Sequence, residues 1–529
     1  MLPEDKYFQS GDKQAIWQRY CGFLDLSLDE FITIQEKLLL EQIELVAASP
    51  LGKKVMNNSK PASVTEFRHL VPLTTYEDYA SYLKQNSEDF LAEKPYYWAR
   101  TSGREGNPKW VPFATRADEI TCRNMIGARL LAPAKQKGEM NVPPGGSMLF
   151  NLPERPYFSG WLAFSVSQRI SFPTIPPLEI SEEMEFTERI EKGFEMALRT
   201  DVDYLSSLSS VLIKIGERFS ERTSGMKFSI FMLHPVVLSR LFWALLRCKI
   251  IEKRELLPKD LWPVKAIFAW GTDTDIYRNQ IFHYWGKMPY EIYGATEAGI
   301  IALQSWTKNW MTFLADSVFL EFIPEAEYLK NKEDTQYQPT TVLLNEVEEG
   351  GIYEVVITNF YGMPFLRYRM GDLIKIVALK DKEAKINLPQ MIFHARAGDI
   401  IDIGGFTRLG EKVVWQAIAN SEIRYEDWTI RKEYDQGNSV LHLYIELKEG
   451  RESKEVEHLI HEQLKLLDKD YKELENMLGI QPLRVTILPE GTFQHYFEEK
   501  QKAGVDLAHL KPPHVNASDT HIRELTILS

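Results

Sequence analysis

Four short segments, spread from residue 101 to residue 515, hold the side chains best suited to chemistry. The first is "TSGREGNPK" (101–109). Its glycines let backbone N–H groups converge, while the hydroxyls of Thr101 and Ser102 and the ammonium of Lys109 add donors. Such a nest binds phosphate oxygens. It lacks the Gly-Lys-Ser/Thr ending of a P-loop, and a polar solvent turn is the other reading. The second is "YGATEAG" (293–299). Tyr293 offers a flat face for a purine, Gly294 permits close approach, Thr296 carries a hydroxyl, and Glu297 is a hard oxygen ligand suited to Mg2+. The bland alternative is a strand end with a buried tyrosine and a surface glutamate. The third is "FLRYRMGDL" (365–373), where Asp372 could accept hydrogen bonds from two neighbouring hydroxyls, as on a ribose. Equally, Arg367 or Arg369 could simply pair with Asp372. The fourth, residues 490–515, ends in Lys511 followed by two prolines. Prolines remove donors and stiffen the chain, so Lys511 sits either on a rigid arm or on a solvated tail.

These segments need a scaffold. Apolar residues Ile34, Leu38, Ile43 and Val46 recur near helical spacing and predict a helix over 33–49. "VPLTTYEDYASYL" (71–83) starts extended and ends helical, with Thr75 as N-cap ahead of Asp78. "KWVPFAT" reads as a strand and "ADEITCRNMIGARLL" as a helix. "VKAIFAW" (264–270), closed by Gly271, has the continuous apolar run of a strand covered on both faces. "PYEIYGATEAG" (289–299) is a strand entering a glycine-bearing turn, and "SVFLEFIP" and "GIYEVVITN" are further strands. "FMLHPVVLSRLFWALLRCKI" (231–250) predicts a buried amphipathic helix. His234, Ser239, Arg240 and Arg247 interrupt it too often for a membrane span. Strands alternating with helices indicate an α/β architecture.

Near residue 400 the pattern changes at a flexible pair, Gly404–Gly405. In "SVLHLYIELK", Leu441, Leu443, Ile445 and Leu447 share one face, and His442, Tyr444, Glu446 and Lys448 share a face expected to be wet. Residues 453–479 carry an apolar stripe from Val456 to Leu478, and "LRVTILP" is another strand. The expected fold is α/β: a large N-terminal domain with mixed sheets over 1–397, plus a small mobile α+β domain over 398–529.

The 529 residues suit two or three domains. A net charge of −13, from 62 basic and 75 acidic residues, argues against a sequence-independent nucleic-acid binder. Cys21, Cys122 and Cys248 are far apart and odd in number, which disfavours a disulfide framework and fits a reducing, cytoplasmic setting. The N-terminus has no basic start followed by an apolar run, so no signal peptide is expected.

The order of the four segments adds information. A Thr/Ser/Gly loop, then Tyr-Gly-x-Thr-Glu, then Tyr-Arg-x-Gly-Asp, then an arginine with a glycine joint, then a late lysine, resembles the parts of adenylate-forming ligases. More narrowly, "SPLGKKV", "VPLTTYEDY" and "GTF…AGVDLAHLKPP" resemble the auxin-responsive acyl-acid amido synthetases, the Gretchen Hagen family. That resemblance implies a ligase that adenylates a carboxylic acid with release of pyrophosphate and then joins the acyl group to an amino acid, releasing AMP. It implies ATP and Mg2+ as cofactors and a carboxylic acid and an amino acid as partners. Neither nucleic acid nor membrane is expected, and the chain is expected to be monomeric. Residue by residue, it implies that Thr101, Ser102, Gly103 and Lys109 lie over the ATP phosphates, and that Gly271 and Thr272 line the adenosine site. Tyr293, with Gly294 and Ala295, meets adenine; Thr296 meets the α-phosphate; Glu297 holds Mg2+. Asp372 binds the ribose, Arg396 reaches the ribose or phosphate, and Lys511 stabilises the adenylation transition state. Arg104 and Glu105 stand where the family has hydroxyl residues; Arg104 could pair with a phosphate. Two rivals are an acyl-CoA ligase and a degenerate nucleotide-binding module.

Overall fold

An apolar strand without polar alternation must be covered on both faces, and Ala266–Trp270 is: Ala266, Ile267, Phe268 and Ala269 are at most 4% exposed. In this computed structural model, residues 2–84, 87–101, 109–141, 146–184, 186–222, 234–270, 274–334, 336–403, 407–435, 438–469, 471–472, 482–502 and 513–527 are described. Two units divide between His394 and Ala395.

The strands that begin before the division, the last of them running past it, are β1 (Pro95–Arg100), β2 (Trp110–Ala114), β3 (Met148–Asn151), β4 (Thr174–Ile175), β5 (Tyr204–Leu208), β6 (Ala266–Trp270), β7 (Pro289–Ala295), β8 (Gly299–Gln304), β9 (Met311–Phe313), β10 (Val318–Pro324), β11 (Ile352–Asn359), β12 (Tyr368–Ala378) and β13 (Gln390–Arg396). β1 and β2 form an antiparallel ribbon. The others form one eleven-stranded sheet in the order β10-β11-β12-β13-β9-β8-β7-β6-β5-β3-β4. One half is parallel, from β4 through β3, β5 and β6 to β7. Beyond β7 the pairing with β8 and β9 is antiparallel, as is that of β10 with β11 and β11 with β12. β7 is therefore the strand at which the sheet changes character.

Local chemistry explains the flanking helices. The helix expected from residue 33 starts earlier, at Leu28, because Ser27 and Glu30 form a reciprocal capping box. Its buried stripe includes two glutamines that periodicity did not single out. Gln35 donates to the carbonyls of Ala315 and Val318, and Gln42 donates to that of Met363. Each buried amide is satisfied by loop backbone, which ties the helix to those turns. Residues 77–83 form the expected short helix, but Thr75 does not cap it with its side chain; Asp78 instead accepts from the Thr75 N–H at 2.8 Å.

The segment 231–250 departs from expectation. Pro235–Leu245 is helical and continues into a wider-wound turn, Leu246–Glu252. Val237, Ala244 and Cys248 are buried, but Phe242, Trp243, Ile250 and Ile251 are 60, 63, 65 and 71% exposed. Its apolar residues encircle the axis, so packing one stripe against the core leaves the rest outward among the described residues. No described helix is long and apolar enough to cross a membrane.

After the division, β14 (Ile400–Ile403) pairs with β15 (Thr407–Gly410), and β16 (Tyr425–Asp435), β17 (Asn438–Leu447) and β18 (Leu483–Leu488) form a three-stranded sheet. Leu441, Leu443 and Ile445 pack with Val456, Ile460 and Leu464 of helix Ser453–Leu467, as the alternation requires. The opposite face is wet only in part: Lys448 is exposed and His442 partly so, but the two residues between them are buried. Tyr444 packs with Phe493, Tyr496, Ile522 and Leu525, and Glu446 is buried, accepting from the N–H groups of Gly491 and Phe493 at 2.6 and 2.9 Å. A polar side chain at an alternating position marks a second, hydrogen-bonded core here rather than a solvent face.

The segment following Lys511 is anchored in this unit. Ile430 donates to the His514 carbonyl at 2.7 Å, and Asn516 donates to that of Ile430 at 2.9 Å. The His514 imidazole lies 4.5 Å from the Trp428 ring and bridges Glu411 and Asp427 at 2.6 and 2.8 Å. Burial disfavours its charge, but the two carboxylates more than offset this and raise its pKa to about 9 from the usual 6.5. The folded state thus holds the proton more tightly than the unfolded chain. This contribution is complete below about pH 6.5 and is lost as pH rises through about 9. His514→Gln is expected to flatten the decline of stability across that window, by roughly 2–3 kcal/mol at its acidic end, as read from denaturant melts at a series of pH values.

Candidate active site

The carboxyl ends of parallel strands collect ligands because loops leave the sheet there. β7 ends at Ala295 and turns through Glu297 into β8. The pairing slips between Tyr293 and Gly294. A Cβ on Gly294 would lie 2.7 Å from the Gly299 carbonyl oxygen, so glycine is required there by the neighbouring backbone alone. Thr296 is half-buried in the same turn.

Glu297 is held at both ends. Its backbone carbonyl accepts from Asn359 Nδ2 at 2.9 Å. Its side chain, 13% exposed, meets Lys109: Nζ lies 3.3 Å from Oε1. Tyr368 completes a triangle. Lys109 donates to the Tyr368 hydroxyl at 3.0 Å, and that hydroxyl donates to Glu297 Oε1 at 3.3 Å. Burial, followed by the charge of Glu297, drives the Tyr368 phenol pKa far up, so it stays a protonated donor. Glu297 Oε2 takes no hydrogen bond from the described residues.

Lys109 is placed by the β1–β2 ribbon. Arg100 pairs with Trp110. Thr101 then donates its N–H to the Lys109 carbonyl at 2.9 Å and accepts the Lys109 N–H on Oγ1 at 3.0 Å. The ends of the 101–109 segment are therefore clamped together. Its interior, with Ser102, Gly103, Arg104 and Glu105, lies outside the described residues.

Asp372 reaches the same region through a bulge. The step from Val356 to Glu354 on β11 is matched by the longer step from Arg369 to Leu373 on β12. Gly371 takes a φ of +70° within that bulge, a conformation that favours glycine. Asp372 is buried and accepts from the Tyr293 hydroxyl at 3.1 Å. The arginine alternative fails. Arg367 grips both oxygens of Glu321 at 2.9 and 3.1 Å, and Arg369 grips both of Glu354 at 2.6 and 3.0 Å. Tyr293 itself is 6% exposed, with its ring 6.4 Å from that of Phe393.

Thr101, Lys109, Tyr293, Gly294, Ala295, Thr296, Glu297 and Asp372 thus come together within the first unit. Arg396 ends β13 beyond the division and is exposed. Gly271, Thr272 and Lys511 lie outside the described residues, as does Gly404–Gly405. Tyr76, Tyr368 and Asn359 contribute contacts that motif reading passed over. The first two sit inside segments quoted for other residues, so their only signal was an aromatic in a motif already under suspicion.

Comparison with known proteins shows the family and the fold. Models of the GH3 family N-terminal, central and C-terminal domains match residues 22–155, 311–396 and 411–520. The chain belongs to the GH3 family. This GH3 chain is 29% identical over 291 residues to the jasmonoyl–L-amino acid synthetase GH3.5 of Oryza sativa subsp. japonica, a stretch covering 50% of this chain and 48% of that protein. It is 26% identical over 272 residues to the jasmonoyl–L-amino acid synthetase JAR4 of Nicotiana attenuata, covering 48% and 44%. The chain thus matches about half the length of these curated relatives. Among solved structures, its fold is similar to that of the AtGH3.15 acyl acid amido synthetase in complex with 2,4-DB (TM-score 0.67, 19% identity, 98% and 96% coverage). It is also similar to that of 2-hydroxyisobutyryl-CoA ligase in the postadenylation state with 2-HIB-AMP (TM-score 0.59, 13% identity, 90% and 93% coverage). The GH3 fold is thus that of adenylate-forming ligases.

The packing account of Gly294 has a direct check. Gly294→Ala is expected to cost roughly 2–3 kcal/mol in a denaturant melt, because the opposing atom is backbone and cannot step aside.

Proposed function

We propose that this chain is an ATP-dependent acyl acid–amino acid ligase. In this reading a carboxylic acid is joined to AMP with release of pyrophosphate, and an amino-acid amine then displaces AMP to leave an amide. The observation that carries it is the meeting of Thr101, Lys109, Glu297, Tyr293 and Asp372, from three separate sequence segments, within one unit. Family membership supports it. A carboxylate is a poor electrophile at neutral pH, and adenylation gives it a leaving group without any protein nucleophile.

The residues fit their proposed tasks. Thr101, Ser102, Gly103 and Lys109 would hold the phosphates; Thr296 would meet the α-phosphate. Asp372, oriented by the Tyr293 hydroxyl, would accept the ribose hydroxyls, while Tyr293, Gly294, Ala295, Gly271 and Thr272 would line the adenosine site. The donor set suits Mg2+. Glu297 Oε2 is a hard oxygen beside the phosphate loop, and no group of three or more His, Cys, Asp or Glu that could hold a metal occurs among the described residues. Mg2+ characteristically binds one or two carboxylates and takes substrate phosphates as its other ligands. Bound there, the ion would offset charge on the phosphates. Lys511 would serve from the C-terminal domain, 398–529, rotating as a lid on the domain 1–397 about residues 398–405, and Arg396, at the end of the larger domain, would reach the ribose or phosphate. We place the enzyme in the cytoplasm as a monomer, where its three free, buried thiols stay reduced.

Carboxylic acids, headed by the acid that supplies a jasmonoyl group, are expected to stimulate pyrophosphate release, and mass analysis with mixed amino acids is expected to show an amide. A thioester formed with coenzyme A would instead mark an acyl-CoA ligase, and nucleotide binding without acid-dependent release a degenerate module. Glu297→Gln and Lys511→Ala are each expected to lower release by two or more orders of magnitude with melting midpoints preserved. Wild-type rates in either variant would remove that residue from the mechanism.

A further inference from the structure

Two tyrosines outside the proposed catalytic set surround the Lys109 ammonium. Nζ lies 5.2 Å from the centroid of the Tyr76 ring and 5.7 Å from that of Tyr368, within the range of cation–π attraction. Both rings are fixed from behind. Tyr368 is 2% exposed and packs against Phe365 at 4.6 Å and Tyr79 at 6.3 Å. The Tyr76 hydroxyl accepts the Trp110 N–H at 2.9 Å, one residue after Lys109, and its ring lies 6.5 Å from Phe365. The cage is thus built on the core, and the flexible member is the lysine.

We propose that Tyr368 and Tyr76 are positioning residues for the nucleotide phosphates. Tyr76 fixes the chain just past Lys109 by accepting the Trp110 N–H. Tyr368 ties the Lys109 ammonium to Glu297 through a single hydroxyl, and because that hydroxyl and the ammonium both address Oε1, they leave Oε2 turned to an incoming cation. The inference rests on the nucleotide-binding part of the reading above, and it assigns to Tyr368 a hydrogen-bonding task distinct from its place in the core. A lysine side chain has four rotatable bonds, so without the cage its charge would be spread over many positions before nucleotide arrives. Preorganisation removes that ordering cost from binding.

Tyr368→Phe keeps the ring, its packing and its cation–π contact and deletes only the hydroxyl. Calorimetric binding of a non-hydrolysable ATP analogue, with and without Mg2+, is the readout. Y368F is expected to weaken binding with Mg2+ about tenfold, to weaken it less without Mg2+, and to add nothing when combined with Lys109→Ala, since both act through one ammonium. A merely structural role predicts a lowered melting temperature and additive losses. Binding unchanged in Y368F, or additive with K109A, overturns the proposal, as does a wild-type protein that binds no analogue. Should Y368F fail to fold, Tyr76→Leu applies the same additivity test to the other wall of the cage. Wild-type protein that binds the analogue but releases no pyrophosphate with any acid would end the ligase reading alone and leave this test standing.

Discussion

A carboxylate taken most of the way out of water must be given partners that replace its lost hydration. Glu297 is in that position: its side chain is 13% exposed, and Lys109, from a distant part of the chain, supplies an opposite charge. Much of the first unit's construction can be read as meeting this demand. The β1–β2 ribbon delivers Lys109, the β7–β8 turn delivers Glu297, and β12 delivers the hydroxyl of Tyr368 between them. An ion pair of this kind contributes little net stability, because desolvation cancels most of the Coulombic gain. Its value is in fixing the geometry of the three side chains.

Two departures from regular sheet structure aim the site. The slip at Gly294 lets β8 approach closely enough to turn the chain at Glu297, and the bulge around Gly371 swings Asp372 inward to the Tyr293 hydroxyl. Regular alternation could place these side chains on a face but could not direct them toward each other. Bulges commonly re-aim side chains next to functional sites. The neighbouring arginines are held away from Asp372 by their own carboxylates, Glu321 and Glu354. Arg367 and Arg369 are thus committed to other acids than Asp372.

The second unit uses buried polar groups differently. Glu446 and His514 are satisfied within the domain, one by backbone N–H groups and the other by two carboxylates. The latter anchors the strand-like stretch that follows Lys511.

How far the sequence alone reached differs from feature to feature. The strand 266–270, the stripe along β17 and the helix after residue 453 followed from periodicity, because burial selects side chains at the spacing of the element that carries them. The four chemical segments were visible by composition and order. Periodicity failed where polarity and burial coincide: Gln35, Gln42, Tyr444 and Glu446 are inside because each hydrogen bond is met, and no local pattern records its partner. It failed in the opposite sense at 235–251, where apolar residues face outward. The sequence by itself determined the kind of element on which each described candidate residue rides, since that is a local property. Only the tertiary structure decided that Lys109 answers Glu297, that Tyr293 meets Asp372 while Arg367 and Arg369 pair with Glu321 and Glu354, and that Tyr368 stands between charges. Those pairings join residues up to 259 positions apart, and strand register, not sequence proximity, brings them within hydrogen-bonding distance.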